Sequence, residues 1–496
     1  MSNYIHITNS VKSNEIVNND FRLSSSQYIK LVMPNSNYKY VRDFLSRPLE
    51  RKDLGVEIGS LNYINYSRYR FIRTRALQEH SFLPDLNEET VLPIMPSEFV
   101  QMDLKEGDLL ISKDSNIGEI VILDKDYPNC MLSGAIYRLP VMDEWRYYLL
   151  ALIKHSIFRE QLDFIVPKGA TIRHAKTMFL DCKIPLPNKN ADNVVCFVSF
   201  LTQAIINKEK LIRQRHDRII RLIEKELTDN QKPNDFSFKL PTLNEVEVVG
   251  RLDTGLYSSL FKGNISLIKN YTHGYFDNIF KMGYELSRGQ NLQESNIGKS
   301  IYTTQHHNKF YSLALPTNFS EYGTIDKTIF LGNPNTLKKL SNGEIIFGAE
   351  ATFRSFVVCD NKENYITNIH GVTISNNGNI EQSILVKCFL DYLVAKGVID
   401  CVKVGGHGGS FAQKYWGIIP FPKFPGPKQN EIAALYHNPQ DYNTKEFTLE
   451  NFLEKDNEYN STAGIYELDK TAKYLKEKLN KAIDDIVNDR EVKIIF

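Results

Sequence analysis

Along the chain the spacing of apolar positions changes in the same order twice. Short apolar runs come first, GDLLIS from Gly107 and GEIVILD from Gly118 in one half, then GEIIFG from Gly343 and SFVVCD from Ser355 in the other. Runs of this length, ended by glycine or charged turn residues, predict strands. A segment of helical period follows each time, YYLLALIKHSIFREQL from Tyr147 and SILVKCFLDYLVAKGVI from Ser383. Ile184-Pro185-Leu186-Pro187 and Ile419-Pro420-Phe421-Pro422 then predict an extended exit, because proline biases the residue before it away from helix.

Beyond each Pro-x-Pro the pattern lengthens. From Asp192 to Leu227 there is no Pro or Gly, and Val194, Val198, Leu201, Ile205, Lys208, Ile212, Arg215, Ile219, Leu222 and Glu226 step by fours and threes. That is a heptad seam with polar interruptions, on a helix roughly 54 Å long at 1.5 Å per residue. Near the C-terminus Ile465, Leu468, Ala472, Leu475, Leu479, Ala482 and Ile486 keep the same spacing with no polar member. Two such helices are expected to pack on each other; packing of each on its own domain is the alternative. KQNEIAALYH, from Lys428, reads as the first turns of the second helix, and Asn438-Pro439 and the polar run to Gly464 read as an insertion of about 25 residues.

Five signals recur in order. Arg22-Leu23 to Tyr28, Gly107, Tyr147, Gly169-Ala170-Thr171-Ile172-Arg173 and Ile184 have counterparts at Arg251-Leu252-Asp253 to Tyr257, Gly343, Ile384, Gly405 to Ser410 and Ile419. Their first residues are 229, 236, 237, 236 and 235 positions apart, and five matches in one order indicate a duplication. The expected division is a first mixed domain over 1–190, a long helix over 191–230, a second domain over 231–427, and a helical region over 428–496 with its insertion near 438–463.

Composition narrows the class of function. The 496 residues are 42% hydrophobic and 24% charged, which is globular, and 60 Lys+Arg against 59 Asp+Glu leave +1, so no global positive field points to a polyanion. Six cysteines, at 130, 182, 196, 359, 388 and 401, form no C-x-x-C and stand near no His at zinc-ligand spacing, as in a reduced protein with incidental thiols. The N-terminal segment has neither the basic region nor the apolar core of a signal peptide, and no apolar stretch reaches the ~20 residues of a membrane helix, so a soluble cytoplasmic protein without membrane association is expected.

This order of parts resembles the DNA-specificity subunit of Type I restriction-modification systems. The resemblance covers essentially the whole chain and is carried by the Arg251-Leu252-Asp253 to Tyr257 motif, the GDLLIS strand, the Gly-x-Thr or Gly-Gly-Ser turns, and the Ile-Pro-Leu/Phe-Pro exits into helices. It implies an α+β fold with two tandem mixed α/β target-recognition domains, each followed by a long helix. The two helices would form an antiparallel coiled coil with pseudo-two-fold symmetry. It further implies a chain with no catalysis of its own that reads a bipartite sequence in double-stranded DNA. Partners would be adenine methyltransferase subunits, two in number, and an ATP-dependent restriction subunit, with S-adenosylmethionine on the methyltransferase and no cofactor here. Copy one departs from the pattern, having Ser24 where the Asp is expected and PNKNADN after Pro187 without a Gln, whereas Gln429 stands near that place in copy two.

The sequence holds no competing chemistry. An adenine methyltransferase needs an Asn/Asp-Pro-Pro-Tyr/Phe turn, and Asn333-Pro334-Asn335 and Asn438-Pro439-Gln440 do not qualify. Gly298-Lys299-Ser300 lacks the first glycine of a phosphate loop, since position 293 is Gln293. Neither a Gly-x-Ser-x-Gly elbow nor His-Glu-x-x-His occurs.

Candidate DNA-binding residues lie where local charge departs from the global balance. Ile58 to Leu77 carries Arg68, Arg70, Arg73 and Arg75 with no acid, interleaved with Tyr63, Tyr66, Tyr69 and Phe71. Arginine forks onto phosphate or guanine and aromatics pack on sugars or thymine methyls, although the spacing equally fits a solvated strand. In copy two the comparable run is Thr303 to Lys309, where Gln305, His306 and Lys309 suit base reading and an ordinary surface loop is the alternative. The glycine-rich turns add Thr171 and Arg173 in copy one, and His407, Ser410 and Gln413 in copy two; free backbone amides there could meet phosphate, or the glycines serve a tight turn alone. Three other readings stay open: the same architecture in another phage-defence methylation system, a coiled-coil scaffold with two protein-binding domains, and a fused methyltransferase-nuclease.

Overall fold

The computed structural model describes residues 5–7, 10–18, 21, 23, 29–166, 175–233, 236–350, 352–360, 362–376, 378–405 and 409–496. The chain divides into two compact units, Met1–Lys210 with Tyr442–Ser461 and Lys470–Phe496, and Leu211–Asp441 with Thr462–Asp469. The border falls inside the long helix Ala191–Asp229, which is continuous across it.

In the first unit the strand Leu109–Ser112 is central, with Ile120–Ile122 and Ile136–Leu139 antiparallel on its two sides. A second sheet has Arg70–Ile72 at its centre, antiparallel to Val91–Pro93 and parallel to Cys130–Leu132. Lys183–Pro185, from the Pro-x-Pro exit, pairs with Tyr38–Tyr40 and brings the chain back to where the domain began. The helices Arg146–Lys154 and Ser156–Ile165 bury Leu149, Leu150, Leu152, Phe158 and Leu162 against this frame.

The second unit repeats these pairings. Ile345–Gly348 lies between Ser355–Val357 and Gly371–Ser375, with Glu285–Arg288 added outside the last. Tyr311–Leu313 is antiparallel to Phe330–Gly332 and parallel to Tyr365–Ile366, and Ile301–Thr303 extends that sheet. Phe421–Pro422 pairs with Tyr275–Phe276 as the exit strand does in the first unit. The helix Ile380–Ala395 then buries every residue from Ser383 to Leu393.

Small details recur as well. Gly107 and Gly343 both have positive φ (86° and 83°), and their amides donate to Leu123 O (2.9 Å) and Val358 O (2.8 Å). In each case an acid one residue later accepts from a backbone amide, Asp108 from Lys105 (2.8 Å) and Glu344 from Ser341 (2.6 Å), closing the same turn. Gly55 and Gly289 donate to Ile136 O and Gly371 O, both at 3.0 Å, and sit where a Cβ would fall inside the carbonyl oxygens of Ser133 and Asn368. Only glycine lets the backbones come this close.

The long helix follows its expected seam and then leaves it. Val194, Val198, Leu201, Ile205, Lys208, Ile212 and Ile219 are buried, but past Ile219 the buried residues are Ile223 and Leu227 rather than Leu222 and Glu226. A straight helix drifts about 20° per heptad against a 3.5-residue repeat, so over this length the apolar face moves by one position. Every expected seam residue of the C-terminal helix Ile465–Val487 is buried. In the first unit the two helices run antiparallel, with Glu209 bonded to Lys476 at one end and Asn188 to Asp489 at the other. They share one core with Val41, Phe44, Tyr148 and Phe179, so they pack on the domain as well as on each other.

The insertion is itself partly helical, over Phe452–Thr462. Phe452 is buried and stacks on Phe496 with ring centroids 4.0 Å apart. On the next turns Asp456 and Asn460 meet the polar interruption of the long helix: Lys208 Nζ lies 2.7 Å from Asp456 Oδ1 and 2.6 Å from Asn460 Oδ1, over the rings of Tyr442 and Tyr459. Asp456 also accepts from Tyr442 OH and Asn460 Nδ2, both at 2.7 Å. A fully buried ammonium is sustained only by such partners.

Two outcomes follow for the full chain in denaturant. Gly55→Ala and Gly289→Ala should each cost about 1–3 kcal/mol, the range of an overpacked site, read from unfolding midpoints. Asp456→Ala should cost more, about 3–5 kcal/mol, because it strands a buried Lys208, while Lys208→Met combined with Asp456→Leu should recover most of the loss.

Candidate nucleic-acid interface

In the first unit the arginine-rich segment forms the central strand of the second sheet and its two ends. Phe71 and Ile72 are buried in separate clusters on opposite faces of the sheet, whereas Arg70 is exposed at the start of the same strand. Arg68 is exposed and lies over the Tyr69 ring (4.7 Å), donating to its hydroxyl at 2.5 Å. After Ile72 the chain turns through Thr74–Ala76, which leaves Arg75 exposed and Arg73 half-buried, its guanidinium on Glu89 O at 3.2 Å. Strand alternation accounts for none of them: Arg70 shares a face with the buried Ile72 and is exposed because it opens the strand, and Arg73 and Arg75 lie past the strand's end. Among the described residues none of the four guanidinium groups meets a carboxylate. Neighbouring cations are paired instead, Lys105 with Asp103 and Asp126, and Arg138 with Asp108.

The interleaved aromatics divide by side. Tyr63 packs on Phe71 and Tyr69 stacks on Phe99 (4.2 Å), both against a small core cluster with Ile58, Ile94 and Met131, so they support the sheet. Tyr66 is 91% exposed and is the aromatic of the four that remains available to a ligand. Across the parallel pairing from Arg70 stands Cys130, whose thiol is pushed up to about 11 by burial, with Arg70 acting in the opposite direction. A thiol held protonated is no nucleophile.

In the second unit Gln305, His306 and Lys309 are exposed in the connection between Ile301–Thr303 and Tyr311–Leu313. This connection stands immediately before the strand equivalent to Arg70–Ile72, the place that Arg68 holds in the first unit, whereas Arg73 and Arg75 lie beyond the strand's other end. The Gln305 backbone N–H donates to Thr303 Oγ1 (3.0 Å), and His306 packs edge-to-face with Phe330.

The glycine-rich turns fare differently. Thr171, Arg173 and His407 lie outside the described residues, as does His174. Ser410 is described, and its amide is not free: it donates to Val404 O (2.9 Å) and Val404 N returns to Ser410 O (2.8 Å), closing the loop at its neck. A phosphate contact through the Ser410 amide is thereby excluded, leaving its hydroxyl. Gln413 is half-buried at the start of the turn Gln413–Ile418.

Residues with no sequence signal gather beside Ser410. Glu350, which forms a bridge with Ser410, also meets His370 Nδ1 (2.7 Å) and Arg288 (3.5 Å), and all three are partly exposed. They come from three separate stretches of chain, and no spacing rule links them. A separate apolar surface lies at the start of the second unit, where Leu243, Val248 and Leu252 are 79–84% exposed beside a groove of about 740 Å³ lined by Leu240, Tyr257, Leu260 and Cys401.

Among the described residues no group of three or more His, Cys, Asp or Glu is placed to hold a metal ion, and no helix is long and apolar enough to cross a membrane. Gly298-Lys299-Ser300 forms a turn between the short helix Glu294–Ile297 and the strand Ile301–Thr303, with Ser300 Oγ on Gly298 O (3.3 Å).

No protein-family profile matches the sequence, and no curated protein matches it. Three solved structures show a similarity that extends over most of the chain. The S subunit of a Type I restriction-modification system from M. genitalium matches at 12% identity and a TM-score of 0.38, over 92% of this chain and 97% of that one. A chain from a study of complex assembly and conformational transition of the type I R-M system matches at 12% identity and TM-score 0.29, over 94% and 100%. The HsdS subunit from Thermoanaerobacter tengcongensis matches at 12% identity and TM-score 0.25, over 92% and 98%. Likeness at this level decides nothing about chemistry, so function has to be read from the residues.

Proposed function

We propose that this chain is a non-catalytic, sequence-specific DNA-recognition subunit of the Type I restriction-modification kind, reading a bipartite target and directing methyltransferase subunits to it. The observation that carries this reading is the duplication, strand by strand, of a two-sheet domain that leads through a Pro-x-Pro strand into helices. Two equivalent readers on one chain suit a target in two parts. In each reader an exposed polar or cationic segment, Arg68 to Arg75 or Gln305 to Lys309, adjoins the same strand of the second sheet. Unpaired arginines fit phosphate and guanine, while Gln305 and His306 offer the donors and acceptors that base edges require. The methyl donor would reside on the partner enzyme, together with the adenine chemistry for which this sequence has no turn.

The deciding experiment is co-expression with the neighbouring methyltransferase and mapping of methylated sites. A divided motif with a fixed gap is expected; a continuous motif would sink the two-reader proposal. Replacing Arg68, Arg70, Arg73 and Arg75 by Ala should leave the unfolding midpoint nearly unchanged, since none is paired with an acid. Affinity for duplex DNA should fall and the dependence of log K on log salt should become shallower. Unchanged affinity at low salt would remove this segment from the interface.

One observation favours a second reading, a scaffold that binds proteins. Leu243, Val248 and Leu252 stand exposed beside an apolar groove, and clustered exposed apolar side chains of this kind mark protein contacts. A scaffold alone predicts no salt-dependent association with DNA, so the same titration separates the two.

A further inference from the structure

In both units the connection leaving the candidate reading strand is tied to the helices by buried polar groups. In the first unit it runs from Ile72 to Val91, and its base is closed by the Asp85 amide on Ala76 O (2.8 Å). At its far end one carboxylate oxygen of Glu209, from the long helix, accepts from the amides of Phe82 (2.9 Å) and Leu83 (3.2 Å) and from Ser81 Oγ (3.0 Å). The other oxygen takes Lys476 Nζ of the C-terminal helix at 2.8 Å, and Lys476 also donates to His80 O at 2.9 Å. Lys154 Nζ, almost fully buried, donates to Gln78 O. Phe82 and Leu83 lie in the core, and the Glu209 side chain is 12% exposed, so solvent screens this contact little. Bonds from neutral donors to an ionised carboxylate are the strong ones.

The second unit solves the same problem with other residues. Its connection, from Leu313 to Phe330, gives Tyr322 O to Lys387 Nζ (3.3 Å) and Gly323 O to Tyr436 OH (2.7 Å). Lys387 is buried and held by Asp391 (2.6 Å), and His216 of the long helix sets its ring edge-on to Tyr322. Different side chains reaching the same part of the fold indicate a requirement placed on that part, beyond an accident of one loop.

We infer that Glu209 is a positioning residue for DNA reading by the first unit. By fixing residues 81–83 to the helices it sets where Arg73 and Arg75 stand relative to the strand bearing Arg70, so a change in the helix pair is felt at the reading surface. This rests on the DNA-reading function proposed above.

The test uses the full chain and a pool of random-sequence duplexes, from which bound sequences are selected. The wild type should yield a divided motif. Glu209→Ala should lose about tenfold of its preference in one half, as expected for a lost charge-assisted bond, and keep the other half, which also reports that the variant is folded. Glu209→Gln should lose part of that preference, because its one oxygen still accepts from the Phe82 and Leu83 amides while its amide nitrogen meets the Lys476 ammonium donor to donor. Glu209→Gln with Lys476→Gln restores an acceptor on both sides and should recover the lost half, a rescue that a merely destabilised loop would not show. Amide exchange at Phe82 and Leu83 should speed by about tenfold in Glu209→Ala and return in the double variant.

Retention of both halves by Glu209→Ala overturns the inference and leaves the DNA-reading function standing. Equal loss of both halves also overturns it, as a global effect on folding. Absence of any motif in the wild type overturns the DNA-reading function and this inference with it.

Discussion

A helix of 39 residues with one apolar face cannot stand in water, and much of this structure follows from covering it. Helices within a folded protein owe little to propensity and most to packing of the amphipathic face. Here the first turns, from Val194 to Ile205, are covered by the first domain and by the C-terminal helix in a single core. The cover has to answer polar residues as well as apolar ones. Lys208 falls on the buried face, and the insertion supplies Asp456 and Asn460 to meet it. Glu209, one residue on, turns to the loop at 81–83. Two adjacent charges on one helix thus organise two different partners.

The duplication is preserved where backbone geometry leaves no choice and lost where side chains can substitute. Gly55 and Gly289 are the same because a Cβ has nowhere to go, and Gly107 and Gly343 because the turn needs a left-handed residue. The ties from connection to helix, by contrast, use a carboxylate and two lysines in one unit and a lysine and a tyrosine in the other. Any donor and acceptor of adequate reach can fix a buried backbone group. The repeat is therefore easier to see in pairing order than in residue identity.

This division explains what could be read from sequence. GDLLIS and GEIIFG predict the central strands Leu109–Ser112 and Ile345–Gly348, since each is a short apolar run opened by a glycine turn. The second sheet was not legible: its strands are two or three residues long and are joined by the parallel pairings of Arg70 with Cys130 and Ser312 with Tyr365. The insertion helix FLEKDNEYNST has almost no apolar period of its own, and it is held by Lys208 and Phe496, which lie far away in sequence. Leu222 and Glu226 fit a heptad on paper, but the helix keeps its own pitch and buries Ile223 and Leu227. The arginine run was legible as a local excess of charge. Its division into supporting rings (Tyr63, Tyr69) and an outward one (Tyr66) required the sheet.

Net charge is a poor guide to such a chain because most of its charges answer one another. The +1 balance is a sum over pairs such as Lys208 with Asp456, Lys387 with Asp391 and Arg47 with Asp53, each of which contributes nothing to the field outside. What a polyanion meets is the remainder, the cations that no carboxylate has claimed. On the first unit Arg68, Arg70 and Arg75 are of that kind and stand exposed at the two ends of a strand whose Phe71 and Ile72 are buried on its opposite faces. The field at a few ångströms is set by these residues, since charges further than about 10 Å away are largely screened at ordinary salt. A neutral chain can therefore present a locally cationic reading surface, and its hold on DNA should depend on the few residues there.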